Sequence, residues 1–124
     1  MKGKDISMEY QVIKRYKSEC QNPIIIFKGD TFSIDGKYND DWDGWDDWYF
    51  CETQEQIKGW VPKQVIKWLS NNEGEALANY FAKEMDVDEG ELLTGIKELN
   101  GWVWCKNLSS KEEGWVPIKN LVRI

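Results

Sequence analysis

Trp48-Tyr49-Phe50-Cys51 followed by Gly59-Trp60-Val61-Pro62, and Trp102-Val103-Trp104-Cys105 followed by Gly114-Trp115-Val116-Pro117, are one pattern written twice. The two cysteines lie 54 residues apart and the two Gly-Trp-Val-Pro blocks 55 apart, so a unit of that length is duplicated. A fixed internal period governs how the rest of a chain is read, because each copy is one supersecondary unit. The runs inside each copy are β-branched and aromatic and are bounded by Gly, Asn and Asp, the pattern of short strands. Two small, related, mostly β modules are expected.

Working outward, strands are expected near residues 10–16, 24–27, 31–34, 48–53 and 58–61 in the first copy. In the second they fall near 92–97, 101–107, 113–116 and 121–124. The copies then occupy residues 8–68 and 76–124, with 69–75 as a linker. Seven residues reach at most about 23 Å, so a packed tandem is expected. Residues 75–84 contain the helix formers Ala, Leu and Glu. Their correspondence with a strand-and-loop segment of the first copy favours strand. Met1 to Ser7 have no counterpart before the second copy and are expected to be loose.

Modules of this size bury little surface and must use large side chains well. Eight Trp, five Tyr and four Phe meet that need. The net charge of −6 is spread over both halves, without a basic block. That argues against nucleic acid, where cationic side chains supply most affinity, and against an anionic membrane surface. No signal-peptide, transmembrane or lipidation pattern is read, which gives a cytoplasmic expectation. The chain has no His, so His-based triads and acid–base pairs are out of reach. No Cys pair has zinc spacing. Neither an enzyme nor a cofactor is expected. Cys51 and Cys105 are expected to be free thiols facing inward on a central strand, and Cys20 to sit in a loop.

The blocks resemble a Src homology 3 (SH3) domain, twice over. Ala76-Leu77-Ala78-Asn79-Tyr80 is similar to the Ala-Leu-Tyr-Asp-Tyr signature, and Glu84-Met85-Asp86-Val87-Asp88-Glu89-Gly90-Glu91 to the diverging turn after the RT loop. Gly101-Trp102 resembles the start of the tryptophan-bearing strand, and Gly114-Trp115-Val116-Pro117 the block before the short 3-10 turn. The resemblance implies an all-β fold of two tandem, five-stranded SH3-like barrels. It also implies aromatic grooves for a polyproline II peptide. Carried over position by position, the groove residues are Tyr16, Trp48, Trp60 and Pro62 in the first copy. In the second they are Tyr80, Trp102, Trp115 and Pro117, with Glu84 as the acid that meets a ligand Arg or Lys.

The departures are specific. Lys14 and Ala78 stand where the signature has its first Tyr, Val65 and Leu121 where a Tyr follows the Pro, and Pro23 where the first copy would carry its acid. The related SH3b wall-binding modules carry an Asn-Val-Arg-Ser-Gly-Pro segment that neither copy has.

One stretch has no match in the second copy: Asp40, Asp41, Trp42, Asp43, Gly44, Trp45, Asp46 and Asp47. It falls at the n-Src loop, and its carboxylates and indoles suit a basic peptide through charge pairing and cation–π contact. A decorated turn folded back on a barrel is the plain alternative. Asn39, Asp41, Asp43 and Gly44 match the first positions of a calcium loop, but Phe50 stands where a bidentate Glu is needed. Trp68 is expected to pack between the modules. The sequence therefore reads as a non-enzymatic, monomeric interaction protein that binds a protein or a proline-containing or basic peptide. The alternative is a small acidic inhibitor of a basic enzyme, of the immunity type.

Overall fold

The computed structural model describes residues 4–18, 22–37 and 48–124. Twelve strands occupy these residues, with two short 3-10 turns and no α-helix among them. The acidic Asp40–Asp47 stretch and Cys20 lie outside the described residues.

The first repeat contributes β1 (Lys4–Val12), β2 (Ile25–Ile26), β3 (Thr31–Lys37), β4 (Trp48–Thr53), β5 (Lys58–Pro62) and β6 (Ile66–Ser70). From the second come β7 (Glu73–Ala76), β8 (Tyr80–Phe81), β9 (Leu92–Leu99), β10 (Trp102–Asn107), β11 (Glu113–Pro117) and β12 (Leu121–Arg123). They build two five-stranded antiparallel sheets, ordered β5-β4-β3-β7-β6 and β11-β10-β9-β1-β12. The orders are equivalent strand for strand. In each, a 3-10 turn (Lys63–Val65 or Ile118–Asn120) follows Pro62 or Pro117, whose rings cannot donate to the ladder and so end the strand.

The compact units do not follow the repeats. One unit is Asn22–Ala82, and the other combines 4–18 with Lys83–Ile124. The first strand of each repeat completes the sheet of the other repeat. β1 pairs with β9 and β12, whereas β7 pairs with β3 and β6. Residues 69–75, expected as a linker, instead form the end of β6, a two-residue turn at Asn71-Asn72 and the start of β7. A strand pattern states that a segment pairs but not with whom, and here the partner is the distant sheet.

The described N-terminal residues are also more ordered than expected. Lys4 pairs with Glu98 and Asp5 with Lys97 before a bulge that ends at Met8. The Lys97 ammonium forms an ion pair with Asp5 and holds that carboxyl below the usual range. Residues 75–84 are strand and loop, as the repeat comparison indicated.

Alternation along the strands sorts the side chains. In the discontinuous unit, Tyr10, Val12, Met85, Val87, Leu93, Val103, Cys105, Val116 and Leu121 form one core. Residues 22–82 bury Ile24, Ile26, Phe32, Cys51, Val61 and Ile66 at comparable places. Cys51 and Cys105 are free, fully buried thiols on the inner strands β4 and β10. Burial raises both from 9.0 to about 12.

The Gly of each Gly-Trp-Val-Pro block has a packing reason. A Cβ on Gly114 would lie 2.9 Å from both the backbone N and the Cβ of Met85, and one on Gly59 would lie 3.0 Å from Ile24 Cβ. The segment returning from the RT loop crosses directly over that strand. Trp68 sits in β6 and turns its ring edge-on to Tyr49, at 5.2 Å, within residues 22–82. It is half exposed.

Candidate functional site

The exchange of first strands re-sorts the aromatic residues that the repeats suggested would share a groove. Tyr16 follows β1 and bridges to Val87 through a reciprocal pair of backbone hydrogen bonds, 3.0 and 2.9 Å long. Its ring meets Trp102 edge-on, with centroids 5.8 Å apart and planes at 81°. Its hydroxyl donates to Glu84 Oε1. Tyr80, in β8, lies instead beside Trp48, at 6.5 Å and 58°. Each tyrosine therefore faces the tryptophan of the other repeat, where sequence order had put Tyr16 with Trp48 and Tyr80 with Trp102.

Cross-strand register completes each face. Trp102 lies opposite Pro117 and Trp104 opposite Trp115, so these four share one side of β10 and β11. Trp104 and Trp115 meet at 5.4 Å, and the Trp104 indole donates to Glu113 at 3.1 Å. Trp48 lies opposite Pro62 and Phe50 opposite Trp60, with the Phe50 and Trp60 rings 5.0 Å apart.

The two faces differ in access. Trp48 is 6 % exposed and Tyr80 2 %, whereas Tyr16 and Trp102 are only half-buried. Trp115 is buried at 3 % against Trp104, and Pro117, opposite Trp102, is buried too. Trp60 remains half-buried and Pro62 is buried.

Glu84 links the aromatic pair to an acidic hollow. A cavity of about 500 Å³ is lined by Ser18, Glu84, Asp86, Asp88, Glu91, Asn107, Ser110 and Glu112. Asp86 accepts a 2.8 Å hydrogen bond from the Ser18 backbone and lies 4.0 Å from the Lys17 ammonium; Asp88 lies 3.5 Å from Arg15. Asn107, buried at the rim, donates to Glu91 at 2.8 Å and accepts from the Ser109 backbone at 2.9 Å. Sequence reasoning singled out Glu84 alone. The acidic run 84–91, which resembles a diverging turn, carries the signal for Asp86, Asp88 and Glu91; Ser18, Asn107, Ser110 and Glu112 join them only through the fold. Among the described residues no cluster of side chains has the make-up of a metal site.

The matches to the missing tyrosine also need correction, because Val65 and Leu121 are not equivalent positions. The Val65 carbonyl accepts from Leu77 as the Asn120 carbonyl accepts from Ile13, which pairs Val65 with Asn120. The Asn120 amide nitrogen donates to the Lys14 and Arg15 carbonyls at 3.0 and 3.3 Å and fixes the exit of β1.

Residues 10–69 match the family model of the variant SH3 domain. The match runs in sequence order, so its residues 10–18 lie in one compact unit and 22–69 in the other. No curated protein and no solved structure gives a significant match to the chain. Strand order and the 3-10 turn after the proline agree with that match, so residues 10–69 are similar to a variant SH3 domain.

Proposed function

We propose that this chain binds a proline-containing, basic segment of a partner protein through the face built on Tyr16, Trp102 and Glu84. A variant SH3 domain is typically a non-catalytic module for protein interaction, and the reading here concerns which surface is used and for what. The observation that carries it is the half-buried, edge-on Tyr16–Trp102 pair whose tyrosine hydroxyl touches a carboxylate on the rim of an acidic cavity. Two perpendicular rings make a ridge and slot that suits the flat ring of a proline in an extended polyproline II segment, which loses little entropy on binding. A ligand Arg or Lys next to that proline would reach Glu84, with Asp86 and Asp88 beyond it. The same reading takes the discontinuous unit as a second SH3-like barrel, cytoplasmic in setting. The Trp48–Tyr80 pair of residues 22–82, being buried, serves as packing.

The experiment is a titration of the labelled chain with a proline-rich, arginine-containing peptide, following the Trp indole N–H signals. The Trp102 indole should shift at sub-millimolar peptide while the Trp48 indole stays in place. No movement of Trp102 would remove this reading.

A second reading, an acidic inhibitor of a basic enzyme, is favoured by the cavity alone: five of its eight lining residues are carboxylates. Asp40, Asp41, Asp43, Asp46 and Asp47 add negative charge to the chain for such steering. Salt distinguishes the two. A charge-steered inhibitor loses association rate steeply with ionic strength, whereas an aromatic groove loses little.

A further inference from the structure

At their C-terminal ends β1 and β7 make equivalent backbone hydrogen bonds, so these do not choose which first strand enters which barrel, although β1 pairs with β9 at six positions and β7 with β3 at three. The Val12 N–H donates to the Glu91 carbonyl at 2.9 Å and the Val12 carbonyl accepts from Gly90 at 2.7 Å. In residues 22–82, the Ala76 N–H donates to Asp30 and the Ala76 carbonyl accepts from Gly29, both at 2.8 Å. Side-chain size does differ. Tyr10 and Gly74 occupy the same place, two residues before Val12 and Ala76, opposite Leu93 and Phe32. Tyr10 is buried, and its ring covers Gly95, where a Cβ would come within 2.6 Å of Tyr10 Cε2 and 3.0 Å of Val103 Cγ1. At Gly74 the crowding comes from the other side. A Cβ there would lie 2.9 Å from Phe32 Cε2 and 3.1 Å from both Ile34 Cδ1 and Ile66 Cγ2. Ile34 stands in β3 where Gly95 stands in β9, each two residues beyond the paired Phe32 or Leu93.

We propose that this reciprocal size match keys each first strand to the barrel of the other repeat. Tyr10 would meet Phe32, Ile34 and Ile66 in residues 22–82, where even a methyl group has no room. Gly74 beside Gly95 and Val103 would leave a void the size of a tyrosine ring, and buried voids are destabilising. Sequential pairing incurs both faults together, and exchanged pairing avoids both. The grouping of the aromatic pairs follows from the key. Tyr16 travels with β1 to Trp102 and Glu84, and Tyr80 travels with β7 to Trp48.

Paired cysteines read the pairing directly in the full chain, with Cys20→Ser as background. Gln11 lies opposite Val122 in the exchanged arrangement; in the sequential one it would take the place of Glu75 opposite Lys67. Gln11→Cys with Val122→Cys should close a disulfide within one chain, and Gln11→Cys with Lys67→Cys should not. A disulfide in the second pair, or one formed only between two chains, overturns the proposal.

The key itself is tested by swapping it. In the Tyr10→Gly, Gly74→Tyr background the preference should reverse, and persistence of the Gln11–Val122 crosslink in a folded chain overturns the size argument. Gly74→Ala gives an independent reading with a one-methyl change. The melting temperature should fall by about 5 °C or more from overpacking. Sequential pairing would put the methyl in open space beside Gly95 and raise it, so a rise overturns the proposal.

Discussion

At the scale of single residues, the same motif positions do different work in the two units. Trp102 is half-buried, while Trp48 at the equivalent strand position is buried. Trp102→Ala should therefore weaken peptide binding at least ~10-fold with little loss of stability, as read by titration and thermal melt. Trp48→Ala should leave binding intact and cost about 3–5 kcal/mol of stability.

Cys51 and Cys105 give a pH prediction. Their thiols hold protons up to about 12 in the folded chain against 9.0 when exposed. The unfolded chain therefore releases these protons first. Their contribution is fully present below pH 9 and is lost as pH rises from there toward 12. A urea-unfolding series across that range should show falling stability, and the native chain at pH 8 should leave both thiols unmodified by iodoacetamide until it unfolds.

At the scale of elements, much was legible in sequence. The Cys and Gly-Trp-Val-Pro spacing located β4, β5, β10 and β11, because alternation and a terminating proline act within a few residues. The glycine of that block is explained by the strand crossing above it. Gly114→Ala drives a methyl into Met85 backbone and should cost about 1–3 kcal/mol. Gly59→Ala meets only the Ile24 side chain within 3.0 Å and should cost less, which paired thermal melts will check. The pairing of β1 and β7 was not legible from such local signals. β1 carries a strand pattern while most of β7 falls in the segment expected as a linker, and what separates the two in the fold is the volume of Tyr10 against Gly95 and of Gly74 against Phe32 and Ile34. Gly74 and Gly95 are glycines inside strands whose counterparts, Tyr10 and Ile34, are large. That mismatch was the one clue to exchange. For the candidate site, the residue types were readable but their grouping was not, since it depends on the same pairing.

At the scale of the whole molecule, residues 22–82 form a continuous unit inserted between the two segments of the other. Removing residues 1–18 should therefore unfold the discontinuous unit and spare the continuous one. In the spectrum of that truncated chain, the indole signals of Trp48, Trp60 and Trp68 should keep their folded positions. Those of Trp102, Trp104 and Trp115 should collapse toward random-coil values. A tandem in sequence order would give the opposite result, losing the first three signals and keeping the last three.

Each aromatic pair, the half-buried Tyr16–Trp102 face and the buried Tyr80–Trp48 contact, joins a tyrosine of one repeat to a tryptophan of the other. The most direct measurement is a nuclear Overhauser spectrum of the intact chain with aromatic side chains assigned. Exchange predicts cross-peaks between the rings of Tyr16 and Trp102 and between Tyr80 and Trp48, whose centroids lie 5.8 and 6.5 Å apart. Cross-peaks joining Tyr16 to Trp48 and Tyr80 to Trp102 would contradict it.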